Sequence, residues 1–208
     1  ESGEQAKALF EPDFEKITEL SGHHEMGTVR INSIVKSLTS FARLDEAEFK
    51  IGNINDIVKQ TLIILSNRLK RTKLEKTFNE CPDIDCMPSQ LGQVVLNLIT
   101  NALDASLAVR DAPSTIIRVS TETIDDHIHI QVADNGPGIS DKVKETLFDP
   151  FVTTKEVGKG TGMGLAISYN IISDHQGRID VESSPAGTTF TIVIPIEQKK
   201  KSQEEKSA

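Results

Sequence analysis

Six glycines fall between Asp134 and Gly164, and they constrain the fold of this chain more than any other feature. Glycine loses more backbone entropy on folding than any other residue, so this density indicates a segment whose backbone amides approach another group closely, most often a phosphate. A flexible surface loop is the alternative explanation for a glycine-rich run alone. Asp134, however, ends an alternating strand pattern, and the last glycines run directly into LAISYNIISDH, which has the apolar spacing of a helix. The stretch therefore predicts a nucleotide site that is bound at one end by a strand terminus and at the other by a helix N-terminus.

The two best-known nucleotide loops do not match this stretch. A P-loop requires G-x-x-x-x-G-K-[ST], but the Gly158-Lys159 pair is followed by Gly160. A dinucleotide fingerprint requires G-x-G-x-x-G, but Asp141 and Met163 stand where the third glycine should be. The predicted site therefore belongs to another kind of nucleotide-binding fold.

Charge and composition exclude several classes of partner. The net charge of −8 argues against nucleic acid, because that binding depends on Lys and Arg side chains that neutralise phosphates. Tryptophan is absent and tyrosine occurs once, so platforms for base stacking are not expected either. No apolar run approaches ~20 residues and no signal peptide opens the chain, so we expect a cytoplasmic protein. Because the chain starts at Glu1 without an initiator methionine, we expect a fragment or processed form that meets a membrane only through upstream segments.

Two cysteines, Cys81 and Cys86, lie in the short run CPDIDC. A metal site usually needs about four ligands, and no histidine or further cysteine lies nearby. We therefore expect reduced structural thiols rather than a disulfide, within a loop that runs from Cys81 to Pro88.

The N-terminal part of the chain has the pattern of one long amphipathic helix. Apolar residues recur at helical spacing from Phe14 to Phe41, and such a stripe needs a partner, either another helix or a second subunit. His23 and His24 fall in the middle of this pattern beside Gly22. We interpret them as residues on a solvated helix face, with a phosphorylated or catalytic histidine as the alternative.

A ladder of polar side chains follows one face of a second predicted helix, QLGQVVLNLITNALDASLAV. Gln93, Asn97, Asn101 and Asp104 recur at intervals of four, four and three residues, which places them on a single helix face. A face in water is one explanation, but apolar residues are interleaved with the ladder, and buried amides need partners. Because oxygen ligands suit Mg²⁺, the ladder predicts a metal and phosphate role.

The remaining patterns predict an α+β fold. Helical spacing covers residues 55–69, and alternating apolar residues predict strands at 116–124, 127–134, 178–183 and 188–196, with a short edge strand at 74–78. His127 and His129 lie on the outward side of their strand, with a turn at Asp125-Asp126 before it. The order of elements predicts a two-layer α/β sandwich, in which a mixed, mostly antiparallel sheet carries helices on one face. The long amphipathic helix precedes this sandwich.

Four blocks of the sequence together resemble the catalytic domain of sensor histidine kinases. QLGQVVLNLITNALDA resembles the N box, DNGPGI the first glycine box, FDPFVTTK the F box and GKGTGMGLAIS the second glycine box, in the order and at the spacing of that family. The resemblance covers residues 48–197 and implies a catalytic ATP-binding domain there. RINSIVKSLTSFARLDEAEF is similar to the second helix of the dimerisation hairpin, so residues 1–47 are assigned to that helix. Residues 198–208 are expected to form a disordered tail.

The resemblance implies a role for each site residue. Asp134 would accept a hydrogen bond from the adenine amine, Asn101 would bind Mg²⁺, and Lys155 would reach the phosphates as a mobile charge. Asn97, Asn101 and Lys155 form the implied catalytic set. Phe148 and Phe151 would pack the lid as core residues, and the role of Asp104 is left open. The implied nucleotide-binding set is Asn97, Asn101, Asp104, Asp134, Gly136, Gly138, Ile139, Phe148, Lys155, Gly160, Thr161, Gly162, Met163, Gly164, Leu165 and Thr189.

The activity implied by the resemblance is transfer of the γ-phosphoryl group of Mg-ATP to a histidine, and then to an aspartate of a response-regulator receiver domain. The sequence HEMGTV from His24 lacks the proline of the family's acceptor motif and lies on the wrong helix, so we expect the acceptor histidine upstream of Glu1. A homodimer through the N-terminal helix is expected. Two alternatives stay open: an ATPase of the gyrase, MutL and chaperone type, or a non-catalytic module regulated by nucleotide.

Overall fold

The computed structural model describes residues 48–153, 155 and 161–198. The predicted N-terminal dimerisation helix (residues 1–47) and nearly all of the predicted disordered tail lie outside the described residues, as does Gly160 of the predicted site. Across the described ranges, no helix combines the length and the apolar character needed to cross a membrane.

Helices cover one face of a five-stranded sheet, which gives the two layers predicted from the sequence. The strand order is β2-β4-β5-β7-β6, and a separate two-stranded sheet pairs β1 with β3. The elements are β1 (Lys50–Asn53), α1 (Ile54–Ile64), α2 (Ser66–Leu69), β2 (Lys73–Phe78), β3 (Asp83–Cys86), α3 (Pro88–Leu107), β4 (Ile116–Ile124), β5 (His127–Asp134), α4 (Asp141–Lys144), α5 (Gly164–Asp174), β6 (Arg178–Ser184) and β7 (Gly187–Pro195).

The five-stranded sheet is mixed and mostly antiparallel, as predicted. β2 pairs in parallel with β4 at one edge, whereas the pairs β4–β5, β5–β7 and β6–β7 are antiparallel. Ile128, Ile130 and Val132 of β5 are buried on the helix side, so the period-2 pattern correctly identified the inner face. The predicted turn before β5 is present, with Asp125 at φ 51°.

The helices start where local chemistry favours a start. The Asn53 side chain caps α1 by accepting the Asn55 backbone N–H at 3.0 Å. Pro88 opens α3, where its missing N–H costs nothing. The central helix α3 buries Val94, Val95 and other apolar residues completely, and it packs between α1 and α5 on the sheet.

The predicted loop from Cys81 to Pro88 is wrong in part. Residues 83–86 form β3, which pairs antiparallel with β1 so that Lys50 faces Cys86 and Asn53 faces Asp83. Ile84 and Cys86 point inward from this strand, and their burial stabilises the short pairing. Both cysteines are buried free thiols, which confirms the prediction of reduced cysteines. Burial raises the pKa of the Cys86 thiol to about 11.

His175 links the helices α3 and α5. Its ring is fully buried after the C-terminus of α5, and its Nε2 accepts the Met87 backbone N–H at 3.0 Å. An acceptor at Nε2 places the proton of the neutral ring on Nδ1, which donates to the Ile171 carbonyl at 2.6 Å. The Phe49 ring lies 5.2 Å from the imidazole, centroid to centroid. His175 therefore holds the start of α3 against the end of α5.

Candidate nucleotide-binding site

Asp134 lies at the last position of β5, on the buried face of the sheet. Its Oδ1 accepts the Gly136 backbone N–H at 2.7 Å. Burial raises the pKa of this carboxyl, and backbone hydrogen bonds from Gly136 and Thr188 oppose the shift. A buried carboxylate with partly compensated charge is well placed to accept a hydrogen bond from a ligand.

Gly136 allows the loop after β5 to lie directly on α3. A Cβ atom at this position would come within 2.8 Å of Asp134 Oδ1 and 3.2 Å of the Ala105 carbonyl carbon. A side chain would therefore push the loop away from both the carboxylate and the helix. Further along the loop, Gly138 packs against the Ser184 backbone, and Ile139 donates its N–H to Ser183 Oγ at 2.8 Å. The loop is thus tied to the strand pair β6–β7.

Thr188, rather than the predicted Thr189, is the β7 residue beside Asp134. Alternation along β7 buries Thr188 on the same face as Asp134, whereas Thr189 pairs with Ala133 and belongs to the opposite face. Thr188 Oγ1 lies 3.1 Å from Ser183 Oγ, so a pair of hydroxyls borders this end of the site. The geometry gives no support to the prediction for Thr189.

The polar ladder of α3 faces the start of α5 and the residue Lys155. The Asn97 Nδ2 atom donates to the Gly164 carbonyl at 3.2 Å and lies 3.4 Å from Ser168 Oγ. One turn later, Asn101 Oδ1 accepts a hydrogen bond from Lys155 Nζ at 3.2 Å. The three residues predicted to be catalytic, Asn97, Asn101 and Lys155, are therefore brought to one side of α3.

Asp104 joins two cations at the end of the ladder. Its Oδ2 is 2.7 Å from Lys155 Nζ, and its Oδ1 is 2.6 Å from Arg68 Nη2. The Lys155 and Asp104 side chains are about one-third exposed, so the group lies at the mouth of the site. The sequence offered no signal for Arg68, because 36 residues separate it from Asp104.

The segment before α5 depends on a backbone conformation that favours glycine. Gly162 has φ 67°, and its carbonyl accepts the Phe151 N–H at 3.0 Å. A Cβ atom on Gly162 would lie 2.4 Å from the Phe151 carbonyl carbon, which no side chain could tolerate without a backbone shift. Thr161 Oγ1 accepts the N–H of Met163, and Met163 and Leu165 pack at the start of α5.

Only one of the two lid phenylalanines is a core residue. Phe148 is half-buried and its ring lies 5.4 Å from the Tyr169 ring, centroid to centroid. Phe151 is 63% exposed, so the prediction that it packs in the core is wrong. Its backbone is left-handed, at φ 70°.

The described residues fit a nucleotide and a divalent cation. The buried acceptor Asp134 suits a base amine. The Lys155 ammonium already lies as a cation against Asn101 Oδ1 and Asp104 Oδ2, and such oxygen atoms are the ligands that Mg²⁺ prefers. No group of three His, Cys, Asp or Glu residues able to hold a metal occurs in the described part of the chain.

The fold and the site define an ATP-binding domain of the α+β sandwich type. The family described as histidine kinase-, DNA gyrase B-, and HSP90-like ATPase matches residues 86–198, and the chain belongs to this family. The C4-dicarboxylate transport sensor protein DctB of Rhizobium meliloti is 39% identical over 170 residues, which are 79% of this chain and 26% of that protein. Within the family, the chain is therefore homologous to the sensor histidine kinases. It spans about a quarter of the length of such curated relatives.

Solved structures agree with this assignment. The catalytic domain of histidine kinase ThkA superposes with a TM-score of 0.62 at 29% identity, over 72% of this chain and 96% of that one. A second structure of ThkA, in complex with the response regulator protein TrrA, gives a TM-score of 0.63 at 25% identity. It covers 87% of this chain and 49% of that one. The resemblance inferred from the four sequence blocks is confirmed.

Proposed function

We propose that residues 48–197 are the catalytic ATP-binding region of a two-component sensor histidine kinase. The region would transfer the γ-phosphoryl group of Mg-ATP to a histidine outside these residues. The observation that carries this proposal is the meeting of Lys155 Nζ with Asn101 Oδ1 and Asp104 Oδ2, beside the N-terminus of α5. This group provides a mobile cation, oxygen ligands and a helix start on one side of α3, which are the parts that phosphoryl transfer requires.

The base end of the nucleotide would be selected by Asp134. The ionised carboxylate accepts a hydrogen bond from an exocyclic amine, which adenine has at the position where guanine carries a carbonyl oxygen. The hydrogen bonds from Gly136 and Thr188 hold the carboxylate in place, and they oppose the rise in its pKa that burial causes. A buried acceptor left without a donor costs free energy, so this arrangement discriminates against bases without the amine.

The phosphate end would be held by residues of α3, Lys155 and the start of α5. Mg²⁺, when bound, supplies charge neutralisation of the phosphates, and Asn101 would be its principal protein ligand, with Asn97 close by. Lys155 brings a second positive charge that can follow the terminal phosphate. Phosphoryl transfer depends on positioning and charge, so the region needs no nucleophile of its own.

The composition of α3 favours a kinase over an ATPase that drives dimer closure. Such ATPases carry a general-base glutamate on this helix, whereas no glutamate occurs between Leu91 and Arg110 here. Water activation at the terminal phosphate would therefore lack its base in this helix. An external imidazole as the attacking group is consistent with a site that holds the phosphates but offers no base.

The partners follow from the same proposal. The ThkA complex with a response regulator supports a receiver domain as the second acceptor of the phosphoryl group. Homodimerisation through residues 1–47 would bring an acceptor histidine near the site, and the amphipathic stripe of those residues supports it. A cytoplasmic location suits both ATP and the receiver domain.

The proposal is tested with γ-labelled ATP and Mg²⁺. Two forms are compared: the 208-residue chain and a longer form with about fifty further upstream residues, roughly one hairpin arm. We expect the 208-residue chain to bind ATP without acquiring label. We expect the longer form to acquire label that is labile in acid and stable in base, the behaviour of phosphohistidine. Asn101→Ala and Asp134→Ala should abolish that label.

The other outcomes distinguish the alternatives. Label on His23 or His24 of the 208-residue chain would contradict the placement of the acceptor. Release of free phosphate without protein-bound label would favour the ATPase. Nucleotide binding with neither result would favour a regulatory module without transfer activity.

A further inference from the structure

One carboxylate at the mouth of the site is shared by two cations from different parts of the chain. Asp104 Oδ1 binds Arg68 Nη2 at 2.6 Å, and Asp104 Oδ2 binds Lys155 Nζ at 2.7 Å. Lys155 also donates to Asn101 Oδ1, which lies one helical turn before Asp104 on α3. The two sides of Asp104 thus differ, because one cation belongs to the proposed phosphate site and the other does not.

Arg68 is held in place by the core, although its own side chain is 46% exposed. It lies in α2 between Leu65 and Leu69, both 5% exposed, and its N–H donates to the Leu65 carbonyl at 3.0 Å. The backbone of Arg68 is therefore fixed relative to α3. Lys155 lies in the segment before α5, and its ammonium can exchange one set of oxygens for another.

Arg68 affects the nucleotide site through the negative charge of Asp104. A carboxylate near the phosphate end repels a nucleotide, and it competes with the phosphates for the Lys155 ammonium. A second cation on the opposite oxygen lowers both effects, because it neutralises the carboxylate when Lys155 moves to a phosphate. Without Arg68, Lys155 would be the only described cation in hydrogen-bond contact with Asp104, and its transfer would leave that charge uncompensated.

We propose that Arg68 is a positioning residue of the nucleotide site, which binds Asp104 and thereby frees Lys155 to bind the phosphates. This inference rests on the proposed function and adds to it a residue that touches no nucleotide itself. It predicts that the contribution of Arg68 to binding depends on the number of phosphates on the ligand. A residue with a merely structural role would affect adenosine and ATP alike.

The test is calorimetric titration of the 208-residue chain with ATP, ADP and adenosine in excess chelator, so that no metal contributes. The buffer contains about 0.01 M salt, where screening extends over about 30 Å. We expect Arg68→Gln to weaken ATP binding about fivefold, within the range of partly exposed ion pairs, and ADP binding by less. Adenosine binding should stay within about twofold, because the ligand carries no charge to repel.

Three further variants complete the experiment. Arg68→Lys keeps the charge and should retain most of the ATP affinity. Asp104→Asn combined with Arg68→Gln removes the uncompensated carboxylate and should recover the affinity that the single Arg68→Gln variant loses. Arg71→Gln removes an equal charge from an exposed position three residues away and serves as the matched control. Thermal denaturation of each variant verifies that the fold is retained.

The outcomes separate this inference from the proposed function. Absence of ATP binding by the unaltered chain, both in chelator and with Mg²⁺ present, would overturn both, and binding that required Mg²⁺ would overturn the role of Arg68 alone. ATP binding by the unaltered chain, together with equal losses for ATP and adenosine in Arg68→Gln, would overturn the role of Arg68 alone. The same conclusion would follow if Arg71→Gln weakened ATP binding as much as Arg68→Gln, or if the double variant failed to recover.

Discussion

Replacement of His175 by leucine should lower stability at neutral pH and also change how stability depends on pH. The ring is fully buried, and it accepts the Met87 N–H and donates to the Ile171 carbonyl. Leucine fills a similar volume but leaves the Met87 N–H without its acceptor. An unpaired buried N–H costs about 1–3 kcal/mol, so we expect a loss of about that size at pH 8.

The sign of the pH effect follows from the pKa of His175. Burial lowers this pKa, and the bond to Ile171 and the charge of Asp174 oppose the shift only in part. As pH falls below the unfolded-state pKa of about 6.5, the unfolded chain takes up a proton that the folded ring resists. Stability from His175 is therefore present above that pH and is lost as pH falls toward the folded-state pKa. One proton limits the slope to about 1.4 kcal/mol per pH unit.

Urea unfolding of the unaltered chain and of His175→Leu, at several pH values from 8 to about 5, measures both effects. The difference between the two chains removes the contribution of other groups, including Asp134, whose raised pKa acts with the opposite sign. His175→Gln retains an acceptor for the Met87 N–H without a titrating ring. It should therefore recover part of the stability lost at pH 8, and its stability should depend on pH in the same way as that of His175→Leu. Parallel pH profiles for the unaltered chain and His175→Leu would refute the buried neutral imidazole.

Three further results are expected. Asp134→Asn should weaken ATP binding about tenfold or more in calorimetric titration, which is the usual effect of losing a charged acceptor, and should cause no loss of thermal stability. Unchanged affinity would contradict the role of this carboxylate. Gly162→Ala should lower the free energy of unfolding by about 1–3 kcal/mol because of its positive φ and the contact with Phe151. Gly92→Ala is the matched control, since its Cβ would meet Thr61 only at ordinary distance. Cys86, with its pKa raised to about 11, should resist thiol reagents at pH 8 until urea unfolds the chain, and fast labelling of the folded protein would contradict its burial.

The elements that the sequence predicted well are those whose signal is local. β5 alternates polar and apolar residues from His127 to Val132, and α3 carries an unbroken helical pattern, so each could be identified without knowledge of its neighbours. β1 and β3 are four residues long and come from segments about thirty residues apart. Their pairing stabilises neither strand until both are in place, and a sequence of that length contains too few alternations to indicate it.

The site shows the same division between local patterns and tertiary contacts. The resemblance of the sequence motifs predicted Asp134, Asn101 and Lys155 as site residues, and the structure places Lys155 in hydrogen-bond contact with Asn101. Alternation from the apolar Phe190 places Thr188, rather than Thr189, on the buried face of β7, so the sequence pattern alone could have indicated Thr188. The contact of Arg68 with Asp104 joins a short helix to α3, and no periodicity in either segment indicates it.

The polar ladder of α3 has two different tasks along one helix face. Asn97 binds the Gly164 carbonyl and lies near Ser168 Oγ, so its amide holds the first turn of α5 against α3. Asn101 and Asp104 bind a lysine side chain instead, and that partner can leave when a ligand arrives. The Asn97 contact involves the backbone of a packed helix, whereas the Asn101 contact involves a mobile side chain. A fixed contact and an exchangeable one therefore lie one helical turn apart on α3. The fold thereby keeps the helix N-terminus fixed where phosphate would bind, while the cation beside it stays free to move.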